Sequence, residues 1–155
     1  MEATDEKFVG VMVLVLNKKK DKALFGKRIN CFAAGKYGIP GGRTHTNEKF
    51  DVSARRELKE ETGLTAQKIE YFGVVRDVYS DHTFVHFAYL CNRYKGEVKT
   101  MEKDKCEGWE WFTFNKLPKN TFLPHKAALD MYLNPKKENK REIFNKNKLV
   151  YKHKK

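Results

Sequence analysis

No stretch of eighteen apolar residues occurs in the 155-residue chain, which excludes a membrane-spanning helix. The opening MEATDEKF carries acidic residues where a secretion signal needs basic ones followed by an apolar block. A soluble, intracellular and cytoplasmic protein with no membrane partner is therefore expected. Cysteine is scarce. Cys31, Cys91 and Cys106 are odd in number and without CxxC spacing, so neither a disulfide framework nor a zinc site is indicated. Internal repeats are not evident. What is present, 40% apolar and 13% aromatic residues, is the composition of one globular domain with a sizeable core.

The net charge of +12 would point to a polyanionic partner, but its distribution weakens that inference. From Asn134 onward nine Lys or Arg stand against Glu138 and Glu142, a net of +7 in 22 residues. The expected division is a domain over residues 1–134 and a basic C-terminal tail over 135–155. Such a tail can hold nucleic acid loosely, although a solvated appendage is the commoner outcome. Its Ile143, Phe144, Leu149, Val150 and Tyr151 keep open a return onto the domain.

Phe8 to Leu16 is a continuous apolar, β-branched run and reads as a central strand buried on both faces. Ala23 to Arg28 resumes as a strand after the polar turn NKKKDK and ends on two cations. Ile29 to Lys36 reads as loop, and Tyr37 to Gly42 packs a proline and several glycines into a close backbone approach. Glu48 to Thr62 has helical periodicity, with Thr46 or Asn47 available as N-cap, Gly63 as stop, and Phe50, Ala54 and Leu58 as the buried stripe. Ile69 to Tyr79 and Thr83 to Tyr94 form strands joined at Ser80, Asp81 and His82. His86, between Val85 and Phe87, reads as an interior or edge histidine satisfied by its neighbours. Glu107 to Phe114 alternates Trp109 and Trp111 against Glu110, Phe112 and Phe114, the pattern of another strand. His125 to Leu133 forms a second helix with Ala128, Leu129 and Tyr132 on its apolar side. The order is that of a mixed α/β domain with helices covering a sheet.

The chemistry sits in Gly42 to Leu64. On the first helix Glu57, Glu60 and Glu61 fall three and four apart, so their carboxylates share one side and repel. A hard divalent cation such as Mg²⁺ or Mn²⁺ would relieve that repulsion with oxygen ligands alone. Taken by itself, the triplet is also compatible with an exposed acidic helix relieved by Lys49, Arg55, Arg56 and Lys59. The surrounding letters decide. Gly42, Glu48, Arg56, Glu57, Leu58, Glu60, Glu61, Gly63 and Leu64 complete the pattern G-x5-E-x7-R-E-U-x-E-E-x-G-U, where U is bulky and aliphatic. A chance match of its seven fixed letters is far rarer than about one in a million.

That pattern is the Nudix box, and the chain resembles the Nudix hydrolases. The resemblance implies an α/β/α sandwich with a mixed β-sheet between helices, and metal-dependent attack of water on a phosphoanhydride. It also implies roles: Glu57 and Glu61 as main metal ligands, Glu60 as a further ligand or base, Glu48 as the partner of Arg56, and the Gly41 carbonyl completing the coordination. Glu107 is the candidate for a remote carboxylate. Arg28 and Arg43 stand where the resemblance puts phosphate-contacting cations, although either could be an exposed charge. Tyr37, Trp109 and Trp111 are candidate surfaces for stacking a base, of which at most one or two would line the pocket.

Lys105 to Trp111 followed by Leu117-Pro118 is similar to the MutT-like nucleoside triphosphate pyrophosphohydrolases of eukaryotic type, including those accepting oxidised purine nucleotides. The expected activity releases a nucleoside monophosphate and pyrophosphate with Mg²⁺, or Mn²⁺, as cofactor. Alternatives are another Nudix substrate (ADP-ribose, a nucleotide sugar or a prenyl diphosphate) and a nucleotide- or RNA-binding module without turnover. The segment Arg43 to Asn47 departs from the Leu-Glu-x-Gly common in such enzymes, which puts the substrate preference in doubt. The oligomeric state, a homodimer included, is left open.

Overall fold

The computed structural model describes residues 6–145. β1 (Glu6–Val15) is the expected central strand, and Val11 to Leu16 are each no more than 1% exposed. A strand buried on both faces needs cover on both sides, and its alternating side chains show what supplies each. Met12, Leu14 and Leu16 pack toward Ala128, Leu129 and Met131 of helix α2 (Leu123–Leu133). Val11, Val13 and Val15 pack toward Ala54 and Leu58 of helix α1 (Phe50–Thr62). The result is the expected α/β/α sandwich with a mixed sheet.

Between these elements lie β2 (Lys22–Arg28), β3 (Tyr37–Gly38), β4 (Gly41–Arg43), β5 (Thr65–Val78), β6 (His82–Lys95) and β7 (Cys106–Thr113). A last strand, β8 (Lys140–Phe144), follows α2. The larger sheet runs β4-β1-β6-β5-β8, with β1 parallel to β6 and β5 parallel to β8, and the smaller runs β3-β2-β7. On β7, Trp109 and Trp111 join the α1 side of the core while Phe112, and Phe114 just past the strand, join the α2 side, as the alternation predicts. No helix among the described residues is long and apolar enough to cross a membrane.

Three details differ from the sequence reading. The fold does not end at residue 134: β8 adds an edge strand to β5, with Val74 to Val78 opposite Lys140 to Phe144, and Arg141 binds Asp130 of α2 at 3.1 Å. Leu149, Val150 and Tyr151 lie outside the described residues. Helix α1 starts at Phe50 with Lys49 in the N-cap position and no side-chain cap, since an ammonium has no acceptor to offer, and the neighbouring Glu48 carboxylate is bound to Arg56, Ser53 and the His45 N–H. Phe50 is 40% exposed and stacks on Phe87, so Ser53 and Thr62 complete the buried stripe in its place. Gly63 ends the helix as expected at φ 78°, where its N–H bonds the Lys59 carbonyl and a side chain would be strained.

Leu58 fixes the height at which α1 meets the sheet. Leu58→Ala should cost about 2–5 kcal/mol in urea unfolding. A loss under about 1 kcal/mol would contradict the packing described.

Candidate active site

Helix α1 carries the glutamates to the place where β4 ends against β1, and the two segments share a cavity of about 330 Å³. Glu57, Glu60 and Glu61 line it on the helix side, with Gly41, Gly42 and Arg43 facing them from β4. The approach is close enough that a Cβ on Gly42 would stand 2.6 Å from the Glu57 carboxylate, so this position admits only glycine without displacing a glutamate. The Gly41 N–H donates to Glu61 Oε2 at 3.3 Å.

Arg56 holds the cluster together. Its Nε and Nη2 donate to the two oxygens of Glu48 at 2.7 and 2.9 Å, the two-pronged geometry that suits a guanidinium. Nη1 donates to Glu57 at 2.9 Å and to Glu60 at 3.2 Å, and Nη2 also reaches the Arg43 carbonyl at 3.2 Å. This network, with the Ser53 hydroxyl, holds the Glu48 carboxyl far below the usual carboxylate range and the Arg56 guanidinium above its own.

Among the described residues no such cation is bonded to Glu61. Burial first, then the charges of Glu57 and Glu102 push its carboxyl well up, against the weaker pull of the Gly41 N–H and of Arg28. The Glu57 carboxyl is also raised, by burial above all and by Glu60 and Glu102, with Arg56 opposing. Oxygen-only donors that resist carrying their charges together fit a hard divalent cation. No group of three His, Cys, Asp or Glu side chains stands ready to hold an ion among the described residues. Glu57 and Glu60 are engaged with Arg56 instead, and Glu57 would turn from it to bind one.

Of the other expected site residues, Arg28, Arg43 and Trp109 also line this cavity. The Trp109 Nε1–H donates to the Glu61 carbonyl at 3.1 Å, which ties β7 to the end of the helix. Glu107 is not brought in. Cys106 and Trp109 both line the cavity because the β2–β7 pairing slips by one residue between them, and within that irregular stretch Glu107 pairs at 3.6 Å with Lys27 in solvent. The remote carboxylate in the cavity is Glu102, in the loop before β7, whose Met101 N–H bonds the Glu61 carbonyl. Tyr37 packs edge-on against Phe112 in the core, and Trp111 lies by Lys18, Lys19 and Lys22 at the far turn, so neither lines the cavity.

A second cavity, of about 160 Å³, adjoins the first along Gly41, Gly42, Arg28 and Arg43. Its walls are Phe8, Phe32, Phe84 and Phe122, with His86 and His125. Arg43 lies 4.1 Å over the Phe8 ring and Arg28 5.5 Å over Phe122, so the two cations mark the passage from the acidic cavity to the aromatic one. These four phenylalanines come from four segments, and no spacing in the sequence announces them.

Residues 6–132 match the NUDIX domain family. The chain belongs to the Nudix family. An oxidized purine nucleoside triphosphate hydrolase of Danio rerio is 31% identical over 108 residues, covering 70% of this chain and 69% of that protein. An ADP-ribose pyrophosphatase of Methanocaldococcus jannaschii is 30% identical over 115 residues, covering 73% and 67%. Among solved structures, a MutT Nudix hydrolase from Burkholderia pseudomallei superposes with a TM-score of 0.77 at 26% identity, covering 81% of this chain and 98% of that one. This is a Nudix hydrolase with MutT-like relatives, from a family that generally uses divalent metal ions.

The raised carboxyls give the metal-free Nudix protein one component of its pH dependence, opposite in sign to that of Glu48. Their folded values stand above the ordinary 4.5, so their stabilising contribution is full below that value and is lost as pH rises through the folded values. Glu61→Gln removes one of the repelling charges and keeps an acceptor for Gly41. With a chelator present, this variant should melt about 2–4 °C above the unaltered protein at pH 8, the difference shrinking toward pH 4.5. A variant that melts lower at pH 8 would contradict the like-charge account.

Proposed function

We propose that this Nudix hydrolase is a Mg²⁺-dependent nucleoside triphosphate pyrophosphatase, releasing nucleoside monophosphate and pyrophosphate. The observation that carries the reading is the pair of adjoining cavities. One end offers carboxylates suited to a cation and phosphates, the other offers aromatic walls suited to a base, and Arg28 and Arg43 line both. The relative from Danio rerio, an oxidized purine nucleoside triphosphate hydrolase, supports the same substrate class.

Glu57 and Glu61 would hold Mg²⁺, with the Gly41 carbonyl and Glu102 at hand, and the ion would supply charge neutralisation on the phosphates and a more acidic water. The protein's own part is positioning. Arg28 and Arg43 bind phosphate oxygens. Arg28 is held for this by its Nε, which donates to the Phe32 carbonyl at 2.9 Å. Arg56 and Glu48 keep the glutamates at the end of the helix facing β4. A water oxygen forms the new bond to phosphorus, the bridge between the α and β phosphates breaks, and the electron pair leaves on pyrophosphate. Glu60, whose side chain is 50% exposed, accepts the proton of the attacking water and returns it to solvent.

A panel of nucleoside triphosphates, ADP-ribose, a nucleotide sugar and a prenyl diphosphate, assayed with Mg²⁺, tests this. A triphosphate should give the highest kcat/KM with pyrophosphate as product, and Glu61→Gln should lower it about a hundredfold or more with the fold retained. Turnover of ADP-ribose, the substrate named for the Methanocaldococcus jannaschii relative, well above every triphosphate would overturn the assignment.

A further inference from the structure

The aromatic cavity holds one feature that its apolar walls do not explain. His86, on β6, lines it, and its Nε2 is buried without a hydrogen-bond partner among the described residues. A buried nitrogen left unpaired costs about 1–3 kcal/mol, and because this Nε2 has no accessible surface as the cavity stands, a turn of the ring toward the space is what lets a ligand satisfy it. Its surroundings leave few competitors. The His86 ring stacks on Phe84 at 6.1 Å and meets His125 edge-on at 6.1 Å. His125 has committed its Nδ1 to the Ile39 N–H at 2.8 Å. No carboxylate or side-chain amide lines this cavity among the described residues, and its two cations, Arg28 and Arg43, also line the acidic cavity next to it.

Burial, reinforced by Arg28, pushes the His86 imidazole down to about 4, so the ring is neutral at physiological pH. A neutral imidazole carries one N–H and one bare nitrogen and can present either to a ligand. Phenylalanine walls accept any flat ring by stacking and do not tell bases apart. Discrimination therefore falls to the imidazole.

We propose that His86 is the specificity-determining residue for the nucleobase: seated among the four phenylalanines, the base turns to His86 Nε2 the edge on which oxo and amino bases differ. This rests on the aromatic cavity being the base site of a nucleotide hydrolase. The pairs that isolate the feature are inosine against adenosine triphosphate and uridine against cytidine triphosphate, each alike in size and different at one edge.

The unaltered protein should favour one member of at least one pair by about tenfold in kcat/KM, and His86→Phe, which keeps a flat ring, should bring that ratio to within about twofold of unity. Equal rates within both pairs, or a ratio that survives in His86→Phe, would overturn the proposal. So would an equal loss for every base, which marks a structural role only. Imidazole ¹⁵N spectra of the unaltered protein cover a variant that fails to fold. The His86 Nε2 resonance should move on adding a non-hydrolysable nucleotide, by different amounts for oxo and amino bases, and stay put with inorganic triphosphate. An Nε2 resonance that ignores every nucleotide would refute the role whichever compound is hydrolysed, whereas an Nε2 response accompanied by superior ADP-ribose turnover would refute only the triphosphate reading.

Discussion

Crowding carboxylates at the end of one helix costs stability, and the Arg56 guanidinium is the interaction that makes the arrangement tolerable. It ties Glu48, Glu57 and Glu60 into one network and leaves Glu61, the most deeply set, without a bonded cation among the described residues. The rest of the site follows from that asymmetry. A fully neutralised cluster would have little use for a divalent ion, and one without Arg56 would splay its glutamates away from β4. The strain is electrostatic and local, and its release is available only to a ligand that brings positive charge.

The sandwich converts this local chemistry into a substrate-shaped site. Because both faces of β1 are buried, α1 and α2 are pinned on opposite sides of the sheet, and the middle of β1, where β4 pairs with it, is where residues from both sides meet. Gly10, Val11 and Met12 pair with Arg43, Gly42 and Gly41. That short pairing puts the backbone of β4 between the glutamates of α1 and the aromatic cavity beside His125 of α2. One strand of three residues thus separates the polar from the apolar half of the site, and its two glycines keep the partition thin.

Much of this was legible in the sequence because it depends on local periodicity. The apolar run of β1, the alternation of β7, the Gly63 stop and the complete box each express a rule of spacing, and each stands where expected. What escaped depends on long-range assembly. Glu107 lies where the β2–β7 pairing slips by a residue and stands in solvent beside Lys27, while Glu102 reaches the cavity from a loop with no periodic signature. The lysine-rich composition after Asn134 concealed β8, whose pairing partner lies over sixty residues away. His86 read as an ordinary interior histidine because its neighbours in sequence are apolar. That its Nε2 lacks a partner among the described residues is visible only once Phe8, Phe32, Phe84 and Phe122 have been gathered around it.

The proposed function requires a divalent cation on the glutamate face of α1. Titrating Mn²⁺ into ¹⁵N-labelled protein, in the absence of nucleotide, tests it directly through paramagnetic broadening of amide resonances. The account predicts that Gly41, Gly42 and Glu57 to Thr62 broaden first, at low Mn²⁺, and that Mg²⁺ in excess restores them. Broadening that centres on another acidic surface and spares these residues would contradict it.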